Sequence, residues 1–82
     1  MAIPRKVALD RLHKLQPRVT EHLNKIYANP GHSSQKHWRH EVRTWLGVME
    51  SMVQHVGQKT GAEWRPILQN LRERLDAAPQ GP

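Results

Sequence analysis

The sequence predicts a small all-α protein, an antiparallel three-helix bundle in one domain over residues 1–78. Three stretches carry apolar residues at intervals of three and four, which is the period of an α-helix. Two short segments containing Gly and Ser or Thr separate them, and no alternation typical of a strand occurs. Helices that each have one apolar face and are joined by short loops bury those faces best against one another.

The first helix is expected from about residue 4 to residue 28, because Pro4 suits a first helical position and Asn29-Pro30-Gly31 is a stop signal. Pro17 removes a backbone donor and crowds the preceding turn. The apolar pattern nevertheless keeps its phase on both sides of Pro17. The sequence therefore predicts one helix kinked at Pro17, or two short helices nearly in line. The apolar positions are Ala8, Leu12, Leu15, Val19, Leu23 and Ile26.

The second helix has the clearest pattern, with its apolar residues within an arc of about 120°. Ser33 or Ser34 is expected to be its N-cap, and Gly57 is expected to end it as a C-terminal cap. Its apolar positions are Trp38, Val42, Trp45, Leu46, Met49, Met52, Val53 and Val56.

The third helix has two candidate starts. Thr60 and Glu63 match a capping box, but Pro66 would then fall in the second turn, so the regular helix begins either after Thr60 or at Arg65-Pro66. Its apolar positions are Trp64, Ile67, Leu68, Leu71 and Leu75. We expect the helix to fray by Ala77 and residues 79–82 to form a disordered tail.

The expected core follows from these faces. Trp38 and Trp45 are predicted to lie in it rather than to form a ligand platform, and Trp64 is predicted to close one end of the bundle. The predicted core is Leu12, Leu15, Val19, Leu23 and Ile26 against Trp38, Val42, Trp45, Met49, Val53, Leu68, Leu71 and Leu75.

Composition excludes several classes of protein. The absence of Cys rules out disulfides, thiolate metal sites and cysteine nucleophiles. The N-terminus lacks the apolar region of a signal peptide, and no apolar run approaches the roughly 20 residues that span a bilayer. Most acidic residues lie beside Lys or Arg at helical spacings, and no Gly-rich phosphate loop occurs. We therefore expect a cytoplasmic protein that is not an enzyme, has no cofactor and does not bind a membrane.

Positive charge is concentrated in the first half of the chain. The net charge is +6, and residues 1–41 hold eight Lys and Arg against three acids, which leaves +5 in that half. A basic stripe on the first helix spans about 80°; its residues are Arg11, Lys14, Arg18, His22 and Lys25. One interpretation is that the stripe binds phosphates or an acidic partner. The other is that the stems of its long side chains cover the edge of the apolar seam. His22 borders that seam, so it is also expected to be half-buried and hydrogen-bonded across helices.

Two smaller features bear on binding. His32, His37 and His40 are close in sequence, but a third ligand would have to come from the loop, so the sequence predicts no metal site there. Gly47 and Val48 lie off the apolar arc of the second helix. Gly inside a helix costs about 1 kcal/mol of stability relative to Ala. Its presence here is explained either by the close approach of another helix or by simple tolerance of the cost. Gly47 and Val48 are thus a candidate interface.

Short motifs also resemble a bacterial family known as domain of unknown function number twenty-nine. His22-Leu23-Asn24-Lys25 with Pro30, Trp38-Arg39-His40-Glu41-Val42-Arg43 and Trp64-Arg65-Pro66-Ile67-Leu68 are similar to that family's motifs and occur in its order. The loop before Trp38 is one residue longer than in the family, and Pro17 interrupts a helix that the family keeps continuous. The resemblance covers residues 19–68 and implies a helical fold without a known activity.

These observations favour a non-enzymatic module that binds another protein or itself. The alternative is a nucleic-acid-associated protein that uses the basic stripe for backbone contacts.

Overall fold

The computed structural model describes residues 3–79, which form three helices: α1 (Arg5–Ala28), α2 (Gln35–Val53) and α3 (Gln58–Ala77). This confirms the predicted all-α three-helix bundle. The bundle is elongated, with extents of 43 × 21 × 17 Å. Within residues 3–79, no helix combines the length and the apolar character needed to cross a membrane. Residues 1, 2 and 80–82, which include most of the predicted tail, lie outside the described residues.

Hydrogen bonds between the helices establish the antiparallel topology. Gln35 at the start of α2 donates a 2.8 Å bond to the Ile26 carbonyl near the end of α1. Arg39 donates a 2.6 Å bond to the carbonyl of Pro79, so the start of α2 lies beside the end of α3. The Tyr27 hydroxyl donates to the Arg74 carbonyl at 2.6 Å. The ends of α1 and α3 therefore meet at the same end of the bundle.

The core lies between the predicted apolar faces. Three residues of the predicted core, Leu15, Trp38 and Trp45, are only partly buried and pack against its edge. Trp64, which was expected to close one end, is 5% exposed. The buried residues are Ala8, Leu12, Val19, Leu23, Ile26, Val42, Leu46, Met49, Met52, Val53, Val56, Trp64, Leu68, Leu71, Leu75 and Ala78.

α1 runs as one helix through Pro17, so the alternative of two separate helices does not occur. Pro17 is exposed, and its ring therefore faces water while the apolar seam passes on the other side. Ser34 takes the N-cap position of α2, as predicted, but its side chain makes no capping bond.

The junction between α2 and α3 differs from the prediction. α2 ends at Val53 rather than at Gly57, and α3 begins at Gln58 rather than at Thr60 or Arg65. Gly57 has φ +88°, a left-handed conformation that favours glycine, and its carbonyl accepts the first helical bond of α3 from Gly61 at 2.9 Å. The predicted C-terminal cap of one helix is therefore the residue that starts the next.

Candidate binding face

A carboxylate on α2 joins two histidines across the α1–α2 contact. Oε2 of Glu41 lies 2.9 Å from Nε2 of His22 on α1, and Oε1 lies 2.5 Å from Nε2 of His37 one turn earlier on α2. The His22 ring also meets the Trp45 ring edge to face, with 4.7 Å between ring centroids. His22 is thus half-buried and bonded across helices, in agreement with its sequence position.

Neither ring nitrogen of His22 is available to a substrate. Nε2 donates to Glu41, and Nδ1 is buried without a hydrogen-bond partner among the described residues. A general base must present a free nitrogen to its substrate. The arrangement therefore fits a structural connection between α1 and α2 better than a catalytic pair.

The predicted basic stripe does not present five free cations. Lys14 pairs with Asp10 at 3.0 Å, and Lys25 pairs with Glu21 at 3.6 Å, each within α1. His22 points into the α1–α2 contact. Arg11 and Arg18 remain exposed, and neither makes an ion pair within residues 3–79.

Val48 lies on the same side of α2 as Glu41, because seven residues are close to two full helical turns. Since Glu41 contacts His22, this side of α2 borders α1. Val48 is one of the large hydrophobic residues that remain exposed, at 37%. Gly47 lies about 100° around the helix from Val48 and has nothing within 4 Å of where a Cβ would stand. The two residues of the candidate interface therefore face different directions.

The two free arginines lie on the side of α1 that borders this side of α2. Arg18 is one turn before His22, and Arg11 is about two turns before Arg18. Because α1 and α2 are antiparallel, the residues of α1 from His22 back to Arg11 lie opposite positions of α2 that run from Glu41 toward Val48 and beyond it. Leu15 and Trp45, both half-buried, lie between these positions. We call this surface the α1–α2 face; its residues are Arg11, Leu15, Arg18, Trp45 and Val48.

The three histidines of the loop and α2 do not converge. The Nδ1 atom of His32 accepts a 3.0 Å bond from the Ser34 backbone, and the His32 ring stacks on Trp38 at 4.9 Å. His37 bonds Glu41, while the side chain of His40 is exposed. Within the described part of the chain, no group of three His, Asp or Glu residues is placed to hold a metal ion.

Two further grooves flank α3. The α2–α3 groove is lined by Val53, Arg65 and Leu68 and is crossed by an ion pair between Arg72 and Glu50. The α1–α3 groove has a mixed lining, with polar residues such as Gln16 and Thr20 beside Pro66 and Ile67. Neither groove is lined by a large hydrophobic residue that is exposed, whereas Val48 of the α1–α2 face is 37% exposed.

The contact of Glu41 with two histidines and the partial exposure of Leu15 and Trp45 were not predicted from the sequence. The spacing of four between His37 and Glu41 was a signal for a local pair, but the contact with His22 depends on how α1 and α2 are aligned. The partial exposure of Trp45 also follows from that alignment.

Comparisons of the chain with protein-family models, with curated proteins and with solved structures give no match. The resemblance to domain of unknown function number twenty-nine therefore stays an expectation from its short motifs.

Proposed function

We propose that this chain is a non-enzymatic protein-binding module and that the α1–α2 face is its contact surface. The observation that carries the proposal is the exposure of Val48 on the side of α2 that borders α1, together with two exposed arginines on α1, Arg11 and Arg18, that make no ion pair within residues 3–79. An apolar centre with a charged rim is the usual composition of a protein interface. The half-buried side chains of Trp45 and Leu15 extend the apolar centre.

Self-association is a second form of the same function, and Gly47 is the residue that supports it. Gly47 is exposed in the middle of α2 with open space around it, so a second helix can approach its backbone closely. Light scattering over a range of protein concentrations tests this form. A mass that stays at 9.5 kDa would contradict self-association.

A nucleic-acid function is the alternative, and the same two arginines support it. Two phosphate contacts predict an affinity that falls only about tenfold between about 50 and 200 mM salt. Proteins that bind nucleic acid chiefly through phosphates make more contacts than this. The small number of free cations on the α1–α2 face therefore favours a protein partner.

We propose the cytoplasm as the compartment of this protein. Cross-linking in the native host from a photo-reactive amino acid at position 48 tests the proposed function. The matched control carries the same group at position 62, where the exposed Ala62 lies on α3. We expect a defined protein adduct from position 48 that does not form from position 62. The purified partner should then bind the unmodified chain saturably.

Two results would count against the proposal. Equal labelling from both positions would mean that Val48 is not at a specific contact. An adduct with nucleic acid from position 48 would instead favour the alternative.

A further inference from the structure

We propose that the partner presents an acidic amphipathic helix, which lies along the α1–α2 face between the two helices. This inference rests on the proposed function and names the chemistry of the partner. It follows from the shape of the face, from its charge and from the pairing of the acids around it.

The shape of the face suits a helix. α1 and α2 are antiparallel and pack against each other, so a strip of surface follows the line along which they meet. Leu15 and Trp45 are half-buried along this strip, and Val48 is 37% exposed beside it. An amphipathic helix binds along such a strip through apolar residues spaced three, four and seven apart.

The spacing of the free arginines suits acids on one side of such a helix. Arg11 and Arg18 are seven residues apart, which is about 10.5 Å along the α1 axis. Acidic residues seven apart on a partner helix have the same separation. Each can therefore reach one guanidinium, for which a carboxylate is the best-matched partner.

The acids near the face are already engaged. The carboxylate of Glu41 lies between two imidazoles, and Asp10 and Glu21 pair with Lys14 and Lys25. None of these acids is paired with Arg11 or Arg18. The face therefore keeps a net positive charge that an acidic partner would complement.

A second copy of this chain fits the face less well. A two-fold contact between identical faces brings four arginines and no acidic residue of the face into one interface, which is unfavourable. The helix α3 is not an acidic partner either, because it carries as many exposed or half-exposed arginines as acids: Arg65, Arg72 and Arg74 against Glu63, Glu73 and Asp76.

The test uses the full chain and a labelled synthetic helix of Leu, Ala and Glu, with Leu at intervals of three and four and Glu seven apart along one flank. Fluorescence anisotropy measures its binding. We expect saturable binding that the double variant Arg11→Glu/Arg18→Glu weakens at least about tenfold. Val48→Glu is expected to weaken it similarly, because it adds an acid at the apolar contact.

Matched controls separate this site from general attraction to a basic protein. The double variant Arg43→Glu/Arg65→Glu makes the same change in net charge at exposed positions away from the face. It is expected to change the affinity by less than about twofold at physiological salt, because distant charges are screened. A peptide of the same composition in scrambled order should not bind.

Three outcomes would overturn the inference. They are no saturable binding, equal losses in the two double variants, and tighter binding of a labelled nucleic-acid duplex at the same arginines. If position 48 still gives a specific protein adduct in the host, the proposed function stands while the acidic-helix inference fails. If neither experiment gives binding at Val48, both fail.

Discussion

Glu41 shows how a single residue connects elements that are distant in sequence. Its two carboxylate oxygens accept from His22 and His37, which belong to different helices. Glu41 and His22 are both less than a third exposed, so this contact is better protected from solvent than the pairs of Lys14 and Lys25. Exposed pairs of that kind contribute little to stability, typically below about 1 kcal/mol. At the residue scale, Glu41 is thus the best-placed polar contact between α1 and α2.

Gly47 provides a test at the same scale. A Cβ at this position would meet nothing within 4 Å, and Ala is about 1 kcal/mol more favourable than Gly inside a helix. We therefore expect Gly47→Ala to raise the free energy of unfolding by about 1 kcal/mol, measured by urea denaturation at low protein concentration.

Gly57→Ala is the contrasting control. Gly57 has φ +88°, and a Cβ there would lie 2.7 Å from the Arg5 guanidinium, so this change should destabilise the protein by about 1–2 kcal/mol. A loss of stability in Gly47→Ala would contradict the structure around Gly47 and would indicate that another helix packs there.

At the scale of elements, α1 contains a local conflict. The apolar residues of α1 are in phase over its whole length, while Pro17 in the middle has no N–H to donate to the carbonyl of His13. The helix continues because burial of residues on both sides of Pro17, such as Leu12 and Val19, stabilises it. Tertiary packing here outweighs helix propensity.

Pro17→Ala should therefore stabilise the protein. The exposed position accommodates Ala, the missing hydrogen bond is restored, and we expect the free energy of unfolding to rise by about 1–3 kcal/mol. Urea denaturation measures this, with the neighbouring exposed change Arg18→Ala expected to stay within about 0.5 kcal/mol of the parent. An unchanged or lower stability in Pro17→Ala would mean that α1 needs the shape that Pro17 imposes.

At the scale of the whole molecule, the three helices are not held equally. α1 and α2 pack most extensively against each other, whereas α3 contacts mainly α2 and packs least against α1. The end of α3 is held by polar bonds from Tyr27 and Arg39 to backbone carbonyls. Detachment of α3 from the bundle therefore disrupts less packing than detachment of α1 or α2.

Native-state hydrogen exchange should reveal this difference. We expect the amides of α3 to exchange through an opening that costs at least about 1 kcal/mol less than the opening of α1 and α2, because local stability follows packing. Tyr27→Phe removes one bond that holds α3, so it should accelerate exchange in α3 more than in α2. Equal protection across the three helices would show instead that the bundle opens only as a unit.

The sequence by itself determined the number of helices, their approximate ranges and most of the core, because helical periodicity depends on residues within a few turns. The resulting positions of Leu12, Leu23, Met49 and Leu71 in the core are confirmed. The junction at Gly57 was harder to predict, since a left-handed glycine can end one helix or precede the next.

Only the tertiary structure decided which surface is free to bind. The basic stripe was a pattern on one helix, but whether each cation is paired depends on side-chain geometry, and the contact of His22 depends on the neighbouring helix. Burial of Leu15 and Trp45 likewise depends on how closely α1 and α2 approach. These are distances between parts of the chain far apart in sequence. The periodicity of a single helix carries no information about them.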